Sequence, residues 1–211
     1  MIRCFRLATL LAVVLLAACS EAPAPKKAET SEEPEKPAEP VTGSSAFFQM
    51  FAAARGWAPD IEILNLHSIH LQQVKYEAGK ASAWQATFVS PHLRRARSYT
   101  YSVIEAEGNL HKGVFAGLEE SWSGPRGASK PFIIQALKVN SDAAYATAMK
   151  KGKAAAEYTK KNPDKRISFL LELGNRHPNV TWRVVWGESV SASNYSVFVD
   201  ASTGEYLETA R

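Results

Sequence analysis

One recurrence constrains this chain more than any other feature. An Ala-rich helical stretch, an apolar strand, a Trp-bearing strand and a Tyr-Ser-Val strand ending in a turn appear twice, at an offset near 95 residues. The first set is Ser45–Arg55, Asp60–His67, Ala83–Ser90 and Tyr99–Glu105, turning at Glu107-Gly108-Asn109. The second is Asp142–Lys161, Arg166–Glu172, Thr181–Gly187 and Tyr195–Asp200, turning at Ser202-Thr203-Gly204. Self-similarity on this scale predicts duplication, so the expected fold class is α+β: two related units, each a helix packed on an antiparallel β-sheet.

Local chemistry supports the elements. Ser141 before Asp142 suits a helix start, where a side-chain oxygen and an acid both meet unpaired N–H groups. Ala144, Ala148, Gly152 and Ala155 then recur at helical spacing, and Lys160, Lys161 and Pro163 supply the charge and breaker of a C-terminus. Trp182, Val184 and Trp186 share one strand face because side chains alternate, as do Tyr195, Val197 and Val199. Trp84 and Trp182 fall at matching positions and are expected to be buried. Trp186, at a strand end, suits either the core margin or a contact. Pro131–Val139 reads as a further strand closing the first sheet, and 116–130 as a loop rich in small turn formers.

The first 43 residues are of another kind. Residues 1–18 pair a short basic start with the charge-free run Leu7–Ala18, twelve residues against the roughly 20 a spanning helix needs. The run ends in Leu16-Ala17-Ala18-Cys19, which resembles a bacterial lipobox. A secretory signal cut near Ala18 is the alternative. Lipidation at Cys19 would attach acyl chains such as palmitate, each methylene contributing about 0.8 kcal/mol of membrane affinity. The lipid bilayer is thus one expected partner, reached through Cys19. Cys4 would leave with the signal. Residues 19–43 carry five prolines and six glutamates and almost nothing large and apolar, the composition of an extended spacer. The expected division is therefore 1–18 signal, 19–43 lipidated Cys and tether, 44–139 first unit, 140–211 second unit. Outside head and tether, 20 basic and 15 acidic residues remain, a balance of +5 that argues against nucleic acid as a partner.

The second half resembles a PepSY-like domain. The resemblance rests on the Ser141–Lys161 helix, the strands after it, and the closing run Val199-Asp200-Ala201-Ser202-Thr203-Gly204-Glu205-Tyr206-Leu207. That run makes sense as strand–turn–strand, with Asp200 and Thr203 capping and Gly204 free to take positive φ. The first half is similar only in outline. The resemblance implies a lipoprotein with tandem PepSY-like domains, a fold for which inhibition or binding is proposed in the cell envelope. A paired helix-plus-sheet arrangement also resembles secreted β-lactamase inhibitor proteins in architecture alone. Fold does not dictate activity.

The search for chemistry finds little. His67 and His70 form His-x-x-His, but IEILNLHSIHLQQV alternates like a strand, where residues three apart face opposite ways. No Glu follows His67 as in the zinc-protease motif, so two surface or edge histidines are expected and no metal. His92, His111 and His177 read as solvated. No thiol remains after Cys19, and no Gly-x-Ser-x-Gly or phosphate loop appears, since Gly124-Pro125-Arg126-Gly127 lacks a following Lys-Ser/Thr. Glu119 and Glu120 are expected to diverge on a loop, and Asp200 to cap a turn rather than act as a base. No catalytic residue and no cofactor is expected. Arg94, Arg95 and Arg97 form a basic cluster expected at a hairpin tip, where charge keeps edges soluble or meets an acidic partner. Trp122, in a Ser-Gly-Pro loop, is the candidate exposed contact.

The functional expectation is a membrane-anchored binding module, facing the periplasm from the outer membrane if the cell is Gram-negative. Its partner would be an envelope protein, with peptidase inhibition as one form of that binding. The alternatives are a non-catalytic structural accessory lipoprotein of an envelope assembly and, third, a hydrolase.

Overall fold

A computed structural model describes residues 37–125 and 129–210. The signal-like head, Cys4, Cys19 and the tether up to residue 36 lie outside the described residues, as does Arg126. In chain order the elements are β1 (Val41–Thr42), α1 (Gly43–Trp57), β2 (Glu62–Ile69), β3 (Lys80–Ala81), β4 (Ala83–Ser90), β5 (Arg95–Ser102) and β6 (Gly113–Ser121). After a single 3₁₀ turn at Ile134–Ala136 come α2 (Ser141–Lys151), α3 (Ala155–Lys161), β7 (Ile167–Glu172), β8 (Thr181–Trp186), β9 (Ser196–Asp200) and β10 (Tyr206–Ala210).

The architecture is α+β. Eight strands form one antiparallel sheet in the order β10-β9-β8-β7-β2-β4-β5-β6, and β1 pairs with β3 beside it. Each half supplies a four-stranded meander, and the halves meet at β2 and β7 in one continuous sheet. Helix α1 lies over the first half's strands and α2 over the second half's, on the same face.

The core explains that arrangement. Trp84 and Trp182 are both fully buried, as their strand parity demands, with ring centroids 6.3 Å apart. Their indole N–H groups donate to equivalent carbonyls, Trp84 to Val41 (3.0 Å) and Trp182 to Val139 (2.8 Å), each two residues ahead of a helix. Phe169 packs against both rings. Trp186 is buried as well, its Nε1 donating to Thr159 Oγ1 at 2.8 Å.

The two helices begin side by side. Gly43 N donates to Ser141 Oγ (2.8 Å) across 98 positions, and Ser44 N donates to Asn140 Oδ1 (3.0 Å). Asn140, not Ser141, caps α2, its Oδ1 also accepting from Ser141 N. Ser141 is instead a buried first-turn residue that serves the other helix and donates to Gly79 O at 2.6 Å. A residue expected to act locally thus acts across the two halves, because both helix starts lie over the same tryptophan pair.

Several expectations are corrected. The folded part begins before residue 44, since Val41 and Thr42 pair with Ala81 and Lys80. The Tyr-Ser-Val strings are not equivalent. Trp84 pairs with Tyr101 and Trp182 with Val199, which puts Tyr195 four residues out of step with Tyr101. The expected helix 142–161 breaks at Gly152, the poor helix former in its stripe, and Ala154 takes φ +58°. A Cβ on Gly152 would sit 2.8 Å from Val197 Cγ2, so glycine also permits the close approach to β9.

Pro131–Val139 is a strap rather than a strand. Phe132 exchanges two backbone bonds with Ile63, then the chain turns, and Lys138 N and Val139 N both donate to Ala201 O. Its apolar residues Phe132 and Leu137 are buried without a ladder. The expected loop 116–130 starts inside β6, which carries Glu119 and Glu120. The Asp200 turn forms as expected. Asp200 Oδ1 accepts from Ser202 N (2.8 Å) and Thr203 N (2.9 Å), and Gly204 has φ +77°.

Candidate functional site

The two halves join through few residues. The β2–β7 ladder contains Asn65↔Glu172, Leu66↔Leu171 and His67↔Leu170. Beyond His67 the strands part, and side chains replace the backbone rungs. Phe169 N donates to Ser68 Oγ (2.9 Å), Ile167 N donates to Tyr76 Oη (3.1 Å), and His70 Nε2 lies 2.8 Å from Ile167 O. Because a carbonyl only accepts, that last contact places a proton on Nε2 of His70. Backbone groups left without a ladder are satisfied here by residues about 100 positions away, as buried amides require.

The split opens into a cleft of about 740 Å³, lined by His67, His70, Gln72, Asp164, Arg166 and Glu188 among others. A recess of about 210 Å³ shares His67, Ser68 and Glu188 with it and continues beneath Ser189 and Val190. His67 stands on the face opposite the helices, since its neighbour Leu66 is in the core. Both histidines are expected surface or edge residues that prove half-buried on or beside a central strand. Burial pushes the His67 pKa below the ordinary histidine value. Burial does the same to His70, with nearby Arg166 adding to it against the opposing effects of Ile167 O and Glu188. Burial raises the Tyr76 phenol, which stays protonated.

The cleft therefore combines two imidazoles whose pKa values are lowered, two cations (Lys165 and Arg166) and two carboxylates, with Ile69 and Ala192 as its apolar side chains. Three serine hydroxyls line the cleft and its recess: Ser68 Oγ accepts from Phe169 N, Ser168 Oγ donates to Gly187 O at 2.7 Å, and Ser189 Oγ meets Ser191 Oγ at 3.1 Å and accepts from Ala192 N. Among the described residues no three His, Cys, Asp or Glu side chains converge as a metal-ligating group. Such an assembly offers hydrogen bonds and charge to a bound surface.

The contact residues expected from sequence lie at the other end of the strands. Arg94 occupies the β4–β5 hairpin tip with φ +54°, and its carbonyl accepts from Trp122 N at 3.0 Å. Arg95 and Arg97 belong to β5 rather than the tip. Arg95 Nη1 donates to Ser121 Oγ (3.3 Å), while Arg97 Nε donates to Gly117 O (2.8 Å) with its guanidinium 5.6 Å from the Tyr99 ring. The fold thus brings Trp122 beside Arg94 and Arg95 and commits Arg97 to the edge strand. Trp122 is half-buried, not fully exposed, because it shares a recess of about 130 Å³ with Leu64 and Ser129. His177, expected to be solvated, is largely enclosed, with Nε2 3.0 Å from Glu208 Oε1 and its ring 5.1 Å from Phe198.

No protein-family model, curated protein or solved structure matches the chain. The cleft residues Asp164, Arg166 and Glu188 carry no motif, nor does Tyr76 beside His70. The His67-x-x-His70 spacing is the one sequence signal that pointed to this place.

Proposed function

We propose that this chain is a lipid-anchored binding module of the bacterial cell envelope. It holds a partner protein on the sheet face that the helices leave open. The observation that carries the reading is the cleft at the junction of the halves. It is a wide, mixed-charge opening at the centre of the sheet, lined by Asp164, Lys165, Arg166 and Glu188 around His67 and His70. Specific interfaces draw on such preformed concave surfaces with a few placed polar groups. The Leu16-Ala17-Ala18-Cys19 run and the Pro/Glu-rich stretch after it support the anchor and the spacer, and the PepSY-like closing run supports a binding role.

The test places a photo-crosslinking residue at Gln72 or Arg166 on the cleft, and at the exposed Gln49 on α1 as the comparison. Irradiation in the native envelope is expected to yield one discrete protein adduct from the cleft positions and none from Gln49. Equal adducts from both faces, or none from the cleft, refute the reading. Metabolic fatty-acid labelling tests the anchor separately: Cys19→Ala is expected to lose the label.

A further inference from the structure

The two edges of the sheet are built differently. Edge strand β10 is five residues long and half-buried throughout, with Glu208 paired to Arg176 and Thr209 Oγ1 accepting from Lys153 N. Edge strand β6 is nine residues long and contains neither proline nor lysine. Of the seven large hydrophobic side chains exposed among the described residues, three are on β6: Val114 (37%), Phe115 (38%) and Leu118 (89%). An unpaired strand edge is a template for another strand, and natural edges are blunted by charge, proline or cover. A bulge between Ala116 and Glu119 breaks the register with β5, yet it projects a leucine into solvent rather than a charge.

The order of residues along β6 says what pairs with it. His111 and Lys112 lead into the strand, Val114-Phe115-Ala116-Gly117-Leu118 form its apolar middle, and Glu119 and Glu120 end it. His111 is paired to Glu105, so Lys112 is the cation at the start; with Lys112 there and Glu120 at its end, the strand sets opposite charges against a copy of itself only in the antiparallel sense. With Ala116 opposite Ala116 of the second copy, Val114 of each chain lies opposite Leu118 of the other, and Phe115 opposite Gly117. Lys112 of each then approaches Glu120 of the other. Both features follow from antiparallel geometry, in which opposite residues share a face.

We propose that β6 pairs antiparallel with β6 of a second copy of this chain, centred on Ala116, to make one sheet across a two-fold dimer. Such a symmetric contact closes on itself and consumes the exposed edge. It is independent of the cleft and of whatever the cleft binds.

The register makes the test specific. In full-length chain in its native membrane, Ala116→Cys sets two thiols at directly opposed positions, about 4.5–5.5 Å apart between Cβ atoms. Glu120→Cys separates them by more than about 20 Å along the strands. Mild oxidation or a short bis-thiol linker is expected to give a covalent dimer from Ala116→Cys at least tenfold above that from Glu120→Cys. The unsubstituted chain, which carries only Cys4 and Cys19, is the background. Leu118→Lys changes a side chain that is 89% exposed, so it leaves the fold intact, and it is expected to weaken association at least tenfold in detergent-extracted protein. Lys112→Glu is expected to weaken it too, and Lys112→Glu with Glu120→Lys to restore it. Equal cross-linking at 116 and 120, no cross-link at 116, or a wild-type chain that sediments as a monomer up to about 100 µM each overturns the proposal.

Discussion

Gly43→Ala is the sharpest probe of how the halves are joined. Gly43 is the first residue of α1 and has ordinary negative φ, so its backbone does not demand glycine. Space demands it. A Cβ there would lie 2.9 Å from Trp182 Cη2 and 3.1 and 3.2 Å from Trp84 Cη2 and Cζ3. Neither ring can yield cheaply: each indole N–H is bonded to a carbonyl, and Phe169 packs 6.0 Å from one ring and 6.2 Å from the other. Replacing glycine by alanine favours folding by about 0.4–1 kcal/mol through the unfolded chain. Overpacking a filled core costs about 1–3 kcal/mol. Recoil of the helix start would also stretch the Gly43 N to Ser141 Oγ bond, worth about 1 kcal/mol. The net expectation is a loss of about 1–3.6 kcal/mol, or roughly 2–14 °C in Tm for a chain of this size. Gly56 supplies the control. It lies in the same helix with nothing within 4 Å of its Cβ, so Gly56→Ala is expected to stabilise by about 0.5–1 kcal/mol. Urea unfolding followed by tryptophan fluorescence measures both. If Gly43→Ala proves as stable as Gly56→Ala, the two rings do not close over the helix start and the account of the junction fails.

Two further expectations concern pH. Burial alone would raise the Asp200 carboxyl, but hydrogen bonds from Asn179, Thr203 and Ser202 outweigh it and hold the pKa below the ordinary carboxylate value of 3.8. Its stabilising effect is therefore present above that value and lost as pH falls through the lowered one. Asp200→Ala is expected to cost about 1–3 kcal/mol at pH 7 by orphaning two backbone N–H groups, and the gap to wild type should close in acid; a gap independent of pH contradicts this. His67 and His70 have pKa values lowered from 6.5 by burial, so their contribution is complete above 6.5 and declines as pH drops through the folded values. Wild type is expected to lose urea resistance below pH 6.5, with a shallower loss in His67→Gln/His70→Gln, and an identical slope in the two proteins would refute the buried, neutral state.

Local pattern determined much of this protein. Ala83–Ser90 is a strand with the expected bounds, Trp84 and Trp182 are core residues by parity, and the Asp200–Gly204 turn forms from its own side chains. These properties depend on a strand's period or on a few adjacent residues, so they are written in the chain at short range. The pairing of β2 with β7 is different, as are the rungs from Ser68, His70 and Tyr76 and the service Ser141 gives to the other helix. Each unites residues about 100 positions apart. Nothing in His67-x-x-His70 says which strand will lie beside it, and Arg166 and Glu188 resemble any surface charges until β7 and the loop after β8 arrive. The break at Gly152, the strap at 131–139 and the naked edge of β6 have the same origin. In each, an apolar or small residue is compatible with several local structures, and the winner is set by burying one shared core beneath two helices that start from a single point.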